Sequence, residues 1–169
     1  MIAYKHIEYM GWDDEIFNKY KTLVQAFSLE VSQYYDNQFS AMTLYQNVVN
    51  EMDKDNRARN HTVTFFMDDD KAIGYVAWFV SREIYESNAE FVISHCFILP
   101  EYRGKGIYGK FINDIPDICE SLYLEKPKYI SAGISITNVL SGEVHKKLGF
   151  KPKWVYCAKE LKDEETDKS

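Results

Sequence analysis

Cysteine, net positive charge and long apolar runs are all scarce in this chain, and each scarcity removes a class of protein. Only Cys96, Cys119 and Cys157 occur in 169 residues. They are odd in number, widely spaced and set in or beside apolar patterns. They therefore make no disulfide framework and read as unpaired thiols in a reducing cytosol. Lysine and arginine number 20 against 26 aspartate and glutamate, a net charge of -6, which argues against a nucleic-acid partner because a phosphate backbone rewards a basic surface. The longest strongly apolar run, Tyr75 to Val80, is too short to span a bilayer. The N-terminus carries no signal-peptide pattern, so the expectation is a cytoplasmic protein without a membrane partner. No repeat, low-complexity linker or composition break divides the chain, which reads as one domain over residues 1–161 followed by a charged tail, 162–169. What is present is ordinary globular material, 46% hydrophobic and 27% charged, in a chain long enough to build a core without metal or disulfide support.

Periodicity supplies the elements. Residues 1–10 alternate loosely as a first strand. From Asp13 or Asp14, plausible N-caps, Ile16, Tyr20, Leu23, Phe27, Val31 and Tyr34 recur at helical spacing. Ser40 is placed to cap a second helix carrying Leu44, Val48 and Met52, which ends in the polar stretch 53–60. Residues 62–67 are β-branched and aromatic, Asp68 to Lys71 has turn chemistry, and Ile73 to Ile84 reads as a long strand. After a turn at Ser87-Asn88, residues 89–99 complete an antiparallel meander. Phe111, Ile115, Ile118 and Leu122 then share a helical face, with a kink expected at Pro116 or a break capped by Asp114. Tyr129 to Ile136 reads as a strand, and Asn138 caps a short helix with Leu140, Val144 and Leu148 on one face. That helix stops at Gly149-Phe150, and Trp154 to Leu161 is a final strand. The order is β-αα-βββ-α-β-α-β, an α/β chain with a mixed sheet (α+β).

The most informative segment is Arg103-Gly-Lys-Gly-Ile-Tyr-Gly-Lys110, which follows the apolar stretch Phe91–Leu99 and precedes a helix. Strand, glycine-rich turn and helix in that order form an anion cradle. Backbone N–H groups converge with no Cβ in the way, and the positive end of the helix dipole stands behind them. Gly104 to Lys110 also satisfies the first seven positions of the P-loop pattern, but the eighth, Ser or Thr for magnesium, is Phe111. P-loop domains also use parallel sheets, whereas three strands run consecutively before this loop.

The stretch Ile98-Leu-Pro-Glu-Tyr-Arg-Gly-Lys-Gly-Ile107 closely resembles the acyl-CoA-binding segment of the GNAT superfamily of N-acetyltransferases. Its motif Q/R-x-x-G-x-G/A stands here as Arg103-Gly-Lys-Gly106-Ile-Tyr108, with Tyr108 in place of the small last residue and Gly109 one step later. A second segment, Asn138 through a short helix to Gly149-Phe150, is similar to the family's later motif in length and ending. The resemblance spans about residues 60–160 and implies the GNAT-like acyl-CoA N-acyltransferase fold. Within it, 89–125 would be the acyl-CoA-binding core and 13–58 a helical acceptor-side segment.

By that resemblance the pyrophosphate of acetyl-CoA rests on the backbone of Arg103, Gly104, Lys105, Gly106, Ile107, Tyr108 and Gly109. The side chains of Arg103 and Lys105 either add charge or stand solvated. The main chain near Phe97, Ile98 and Leu99 holds the pantetheine arm and polarises the thioester, and Asn138 caps its helix and contacts the same arm. Many relatives protonate the thiolate with a tyrosine four residues before the terminal glycine, where this chain has His145. His145 reads either as that acid, with Tyr108 as its rival, or as a solvent-facing histidine. For the base, His95 and Glu90 are the candidates on the strand before the loop. Counting back from Arg103, Ser94 and Val92 project where the family's base stands and His95 points to the other face, a parity that a bulge would invert. Tyr34, Tyr35 and Phe27 either line an acceptor pocket or belong to the core.

The resemblance therefore implies a metal-free N-acetyltransferase that passes an acetyl group from acetyl-CoA to a primary amine by direct attack. The alternative is a catalytically degenerate CoA-binding or regulatory module of the same fold. The acceptor, small molecule or protein, stays open, and a homodimer is compatible with the sequence.

Overall fold

The structure, a computed structural model, describes residues 2–8, 21–34, 40, 42–47, 50, 62–82, 89–123 and 126–153. The expected helix start at Asp13 or Asp14, Tyr35, Val48 and Met52, the Ser87-Asn88 turn, Cys157, the strand over 154–161 and the tail lie outside these residues.

Five strands form one sheet in chain order: β1 (Ile2–Glu8), β2 (Thr62–Asp68), β3 (Lys71–Arg82), β4 (Ala89–Ile98) and β5 (Tyr129–Ala132). The first four pair antiparallel and β5 runs parallel to β4. The aspartate turn between β2 and β3 places Asp69 at φ 52°, a left-handed conformation that Asp tolerates. A mainly antiparallel sheet of this kind removes the P-loop reading.

Helices cover both faces. On one, α1 (Lys21–Val31) and the helical residues 42–47 (α2) bring Leu23, Val24 and Tyr45 onto Val63, Phe65, Tyr75, Ala77 and Phe97. Ser40 caps α2 as expected, its Oγ accepting the Thr43 N–H at 3.1 Å. On the other face, α3 (Ile107–Tyr123) lays Ile107, Phe111, Ile112, Ile115 and Ile118 on Phe66, Ile73, Val76, Trp78, Phe91 and Ile93. Trp78 stacks on Phe91 with ring centroids 4.4 Å apart. Its indole N–H donates to Thr64 Oγ1 at 2.8 Å, so this buried polar group is satisfied. Among the described residues no helix is long and apolar enough to cross a membrane.

Four expectations change. Helix α3 runs through Pro116 without the break that was the alternative to a kink there. Asp114 caps nothing; its carboxylate accepts the Tyr4 hydroxyl at 2.9 Å and pairs with Lys110, tying β1 to α3. The proline forfeits only the N–H bond to the Ile112 carbonyl, and buried Ile112, Ile115 and Ile118 hold the helix down on either side. The buried stripe of α3 ends at Cys119, leaving Leu122 45% exposed. Strand β5 ends at Ala132 rather than Ile136, because its parallel register with β4 covers only Glu90–Ile93. Finally, the expected face of α4 (Val139–Lys147) is only partly covered: Leu140 is 65% exposed while Leu148 packs on the α3-side core, and His145 is only 8% exposed. The solvent-facing reading of His145 is thereby overturned.

Candidate active site

The site grows from an irregularity in β4. Ala77 of β3 lies opposite His95, but the next residue, Trp78, lies opposite Ile93, so Ser94 is an extra residue bulged out of the ladder. Up to Ile93, β4 pairs with β5; from Ser94 to Ile98 its outer edge has no strand partner among the described residues. The bulge also inverts the alternation. Phe91 and Ile93 face α3 before it, while Cys96 and Ile98 do so after it. His95 consequently shares the α1 face with Phe97 and with Glu90 and Val92, and its ring meets Phe27 of α1 edge-on at 5.4 Å. The parity counted from the sequence is reversed at His95.

Main-chain groups beyond the bulge divide in the alternating antiparallel manner. The Leu99 N–H donates to the Ile73 carbonyl at 2.9 Å, while the Ile98 carbonyl faces the open edge and accepts Arg103 Nε at 2.8 Å. Gly74 makes the approach of β3 possible: a Cβ there would stand 2.5 Å from the Phe97 carbonyl oxygen.

The chain next makes a short turn, Pro100–Tyr102, in which the Arg103 N–H donates to the Pro100 carbonyl. Gly104 and Gly106 then adopt φ 72° and 75°, left-handed values that L side chains rarely take, with nothing within 4 Å of where a Cβ would be. The first helical N–H bond closes from Lys110 to the Gly106 carbonyl. The N–H groups of Ile107, Tyr108 and Gly109 are thus left for a ligand at the positive end of α3. The guanidinium of Arg103 is committed elsewhere: it reaches the Glu30 carboxylate of α1 at 2.6 Å and lies over the Phe97 ring. Lys105 stands over the Tyr102 ring at 4.7 Å.

On the other side of the open edge, Asn138 Oδ1 accepts the Ser141 N–H at 3.1 Å and starts α4. Gly149 at φ 87° ends it, with the Phe150 N–H returning to the His145 carbonyl. Gly109 lets α3 and α4 approach, since its absent Cβ would lie 3.2 Å from Leu148. Between these helices His145 Nε2 lies 2.9 Å from the Tyr108 hydroxyl, and its Nδ1 lies 2.8 Å from the Ser141 carbonyl. A carbonyl only accepts, so Nδ1 carries a proton. Burial holds the Tyr108 phenol well above its usual range. It likewise pushes the Cys96 thiol up to about 12 and that of Cys119 to about 11, leaving both as poor nucleophiles.

A model of the acetyltransferase (GNAT) family matches residues 23–150. The chain belongs to the GNAT acetyltransferase family. Its fold recurs in solved structures of low identity. A possible acetyltransferase from Clostridium difficile 630 superposes with a TM-score of 0.64 at 14% identity, over 96% of this chain and 99% of that one. A ribosomal-protein-alanine N-acetyltransferase from Brucella melitensis biovar Abortus 2308 gives 0.65 at 11%, over 95% and 100%. The aminoglycoside N-acetyltransferase AAC(6')-Iy, in complex with CoA, gives 0.59 at 13%, over 95% and 96%. No curated protein matches the chain in sequence.

As a GNAT protein this is an acyl-CoA-dependent acyltransferase, with a place for CoA and a place for an acceptor. The residues present fit the CoA pyrophosphate: two left-handed glycines open the cradle and the unpaired N–H groups of α3 line it. The structure brings Tyr108 and His145 together across α3 and α4, leaves Asn138 at the start of α4 bonded to Ser141, and brings Arg103 together with Phe97 and Ile98. Glu90 and His95 lie apart from the first group, on the α1 face. Among the described residues no cluster of potential metal ligands occurs. Sequence reasoning missed Glu30, Ser141 and Gly74. Glu30 and Ser141 gave no signal, since their partners lie on other elements or on backbone atoms. Gly74, alone inside a β-branched and aromatic strand, was a visible sign of close backbone approach.

Proposed function

We propose that this GNAT protein transfers the acetyl group of acetyl-CoA to a primary amine of its acceptor by direct attack. The observation that carries the reading is the cradle of Gly104, Gly106 and the α3 N-terminus, standing where β4 parts from β5. In this scheme residues 89–125 form the donor side and residues 13–58 the acceptor side. Backbone groups of residues 104–109 hold the pyrophosphate, and the open main-chain edge at Ile98, between Phe97 and Leu99 whose own groups face β3, guides the pantetheine arm with Asn138 opposite. Acetyl-CoA supplies an activated thioester. His95, with Glu90 on the same face, takes the proton of the attacking amine from the α1 side. The pair of Tyr108 and His145 supplies the proton that the departing thiolate needs. The high thiol pKa values of Cys96 and Cys119 favour this direct route over an acyl-cysteine.

Thermal unfolding with saturating acetyl-CoA, against ATP with magnesium, tests the reading. A ligand at 100 times its Kd adds about 2.7 kcal/mol, which for a domain of this size raises Tm by roughly 5–10 °C. A rise with acetyl-CoA, followed by CoA release in the presence of an amine panel, is the expected result. A rise without amine-dependent release would favour a binding module, and no rise would remove the donor assignment.

A further inference from the structure

We propose that the end of α1 and the short helical turn Ser32–Tyr34 after it form a strap across the donor groove, with Glu30 and Thr137 as the positioning residues that hold it down. The inference rests on the acyl-CoA reading of that groove and deepens it. The groove opens where β4, beyond Ser94, parts from β5. Its two banks are the end of β4 with the loop that follows, and the segment that leads from β5 to Asn138.

One stretch of chain touches both banks. Phe27 lays α1 over β4, its ring meeting His95 at 5.4 Å and Phe97 at 6.4 Å. One turn on, the Glu30 carboxylate takes the Arg103 guanidinium at 2.6 Å, and Arg103 Nε donates to the Ile98 carbonyl on the open edge. The Tyr34 carbonyl then accepts the Thr137 hydroxyl at 3.3 Å, on the β5 bank. A chain bonded to one bank at Glu30 and to the other at Tyr34 crosses the gap between them, beside Ile98 and the cradle.

The strap is pinned rather than packed. Leu23, Val24 and Ser28 bury the earlier turns of α1, whereas no side chain from Leu29 to Tyr34 is buried. Ser28 Oγ donates back to the Val24 carbonyl at 2.9 Å, a bond that eases bending of a helix and marks where the anchored turns end. Ser32 Oγ, on the Leu29 carbonyl at 2.7 Å, keeps the last turn wound. The Glu30 and Arg103 side chains are each about a third exposed and Thr137 is exposed, so both pins are of the weak, water-facing kind. Such a strap lifts as a unit, and donor exchange in the groove requires that it lift. The pins therefore set how fast CoA enters and leaves more than how tightly it binds.

The test measures association and dissociation of CoA on the full-length protein by surface plasmon resonance, together with amide hydrogen exchange. Glu30→Gln and Thr137→Val each cut one pin, while Thr137→Ser keeps the hydroxyl. Loss of one pin should speed both steps about threefold. The double variant should be about tenfold faster, because the pins touch different partners, with Kd within about threefold throughout. Thr137→Ser should match the wild type. Exchange at residues 32–34 should quicken in each pin variant while that of Leu23 and Val24 stays as it was. Unchanged rates or unchanged exchange in both pin variants would overturn the strap. So would a Kd that weakens at an unchanged association rate, which would put Glu30 or Thr137 in the binding surface itself. If the wild type binds no CoA, the donor reading falls and the strap with it; if it binds CoA and the variants do not differ from it, only the strap falls.

Discussion

On the α3 face of the sheet, Phe111 meets the rings of Tyr4, Phe66 and Phe91 at 5.4–6.3 Å and is wholly buried. On the α1 face, Phe27 meets Tyr75, His95 and Phe97 at 5.4–6.4 Å, but polar groups are interleaved with the rings. The Tyr75 hydroxyl is buried there with no hydrogen-bond partner among the described residues, and His95 has been swung into the same layer by the bulge. One face is packed for stability. The other retains polar chemistry inside an apolar layer, a pattern expected where a protein gives up some stability for a working surface.

The comparison can be broken in three ways. Phe111→Ala should have the largest effect, about 3–5 kcal/mol lost in urea unfolding; a loss below about 1 kcal/mol would mean that the α3 face is not the stabilising one. Gly74→Ala comes next. Its new Cβ would sit 2.5 Å from the Phe97 carbonyl oxygen, so β4 must shift at the expense of about 1–3 kcal/mol. Because the shift falls on the open edge, the acetyl-CoA-induced rise in Tm should shrink as well; an unchanged rise would separate Gly74 from the donor site. Tyr75→Phe sharpens the contrast with the smallest change. Removing an unsatisfied buried hydroxyl should raise stability by about 1 kcal/mol, read as a higher urea midpoint. A lower midpoint would show that the hydroxyl is bonded and the α1 face as well satisfied as the other.

Much of the glycine loop and of the flanking helix caps was legible because their signals are local. Gly104 and Gly106 announce left-handed backbone, Asn138 an N-cap and Gly149 a helix stop, and each takes that conformation in the structure. Phe111, the residue that spoiled the P-loop pattern, proves to be the buried anchor of α3. Amphipathic spacing misled at α4, where Leu140 and Val144 follow helical periodicity but the helix presents His145 to Tyr108 of α3 instead. Periodicity reports that a stripe exists. It does not report which neighbour the helix will meet.

The chain by itself determined the element order as far as α4, the antiparallel meander, the glycine cradle and the family, since each depends on residues close in sequence or on a fixed motif. Tertiary structure alone decided the Ser94 bulge that turns His95 toward α1, the capture of Arg103 by Glu30, and the meeting of Tyr108 with His145. The physical reason is common to all three. Strand register is a property of two strands, and a hydrogen bond between helices depends on how closely they pack. Neither is encoded in the spacing of residues along one segment.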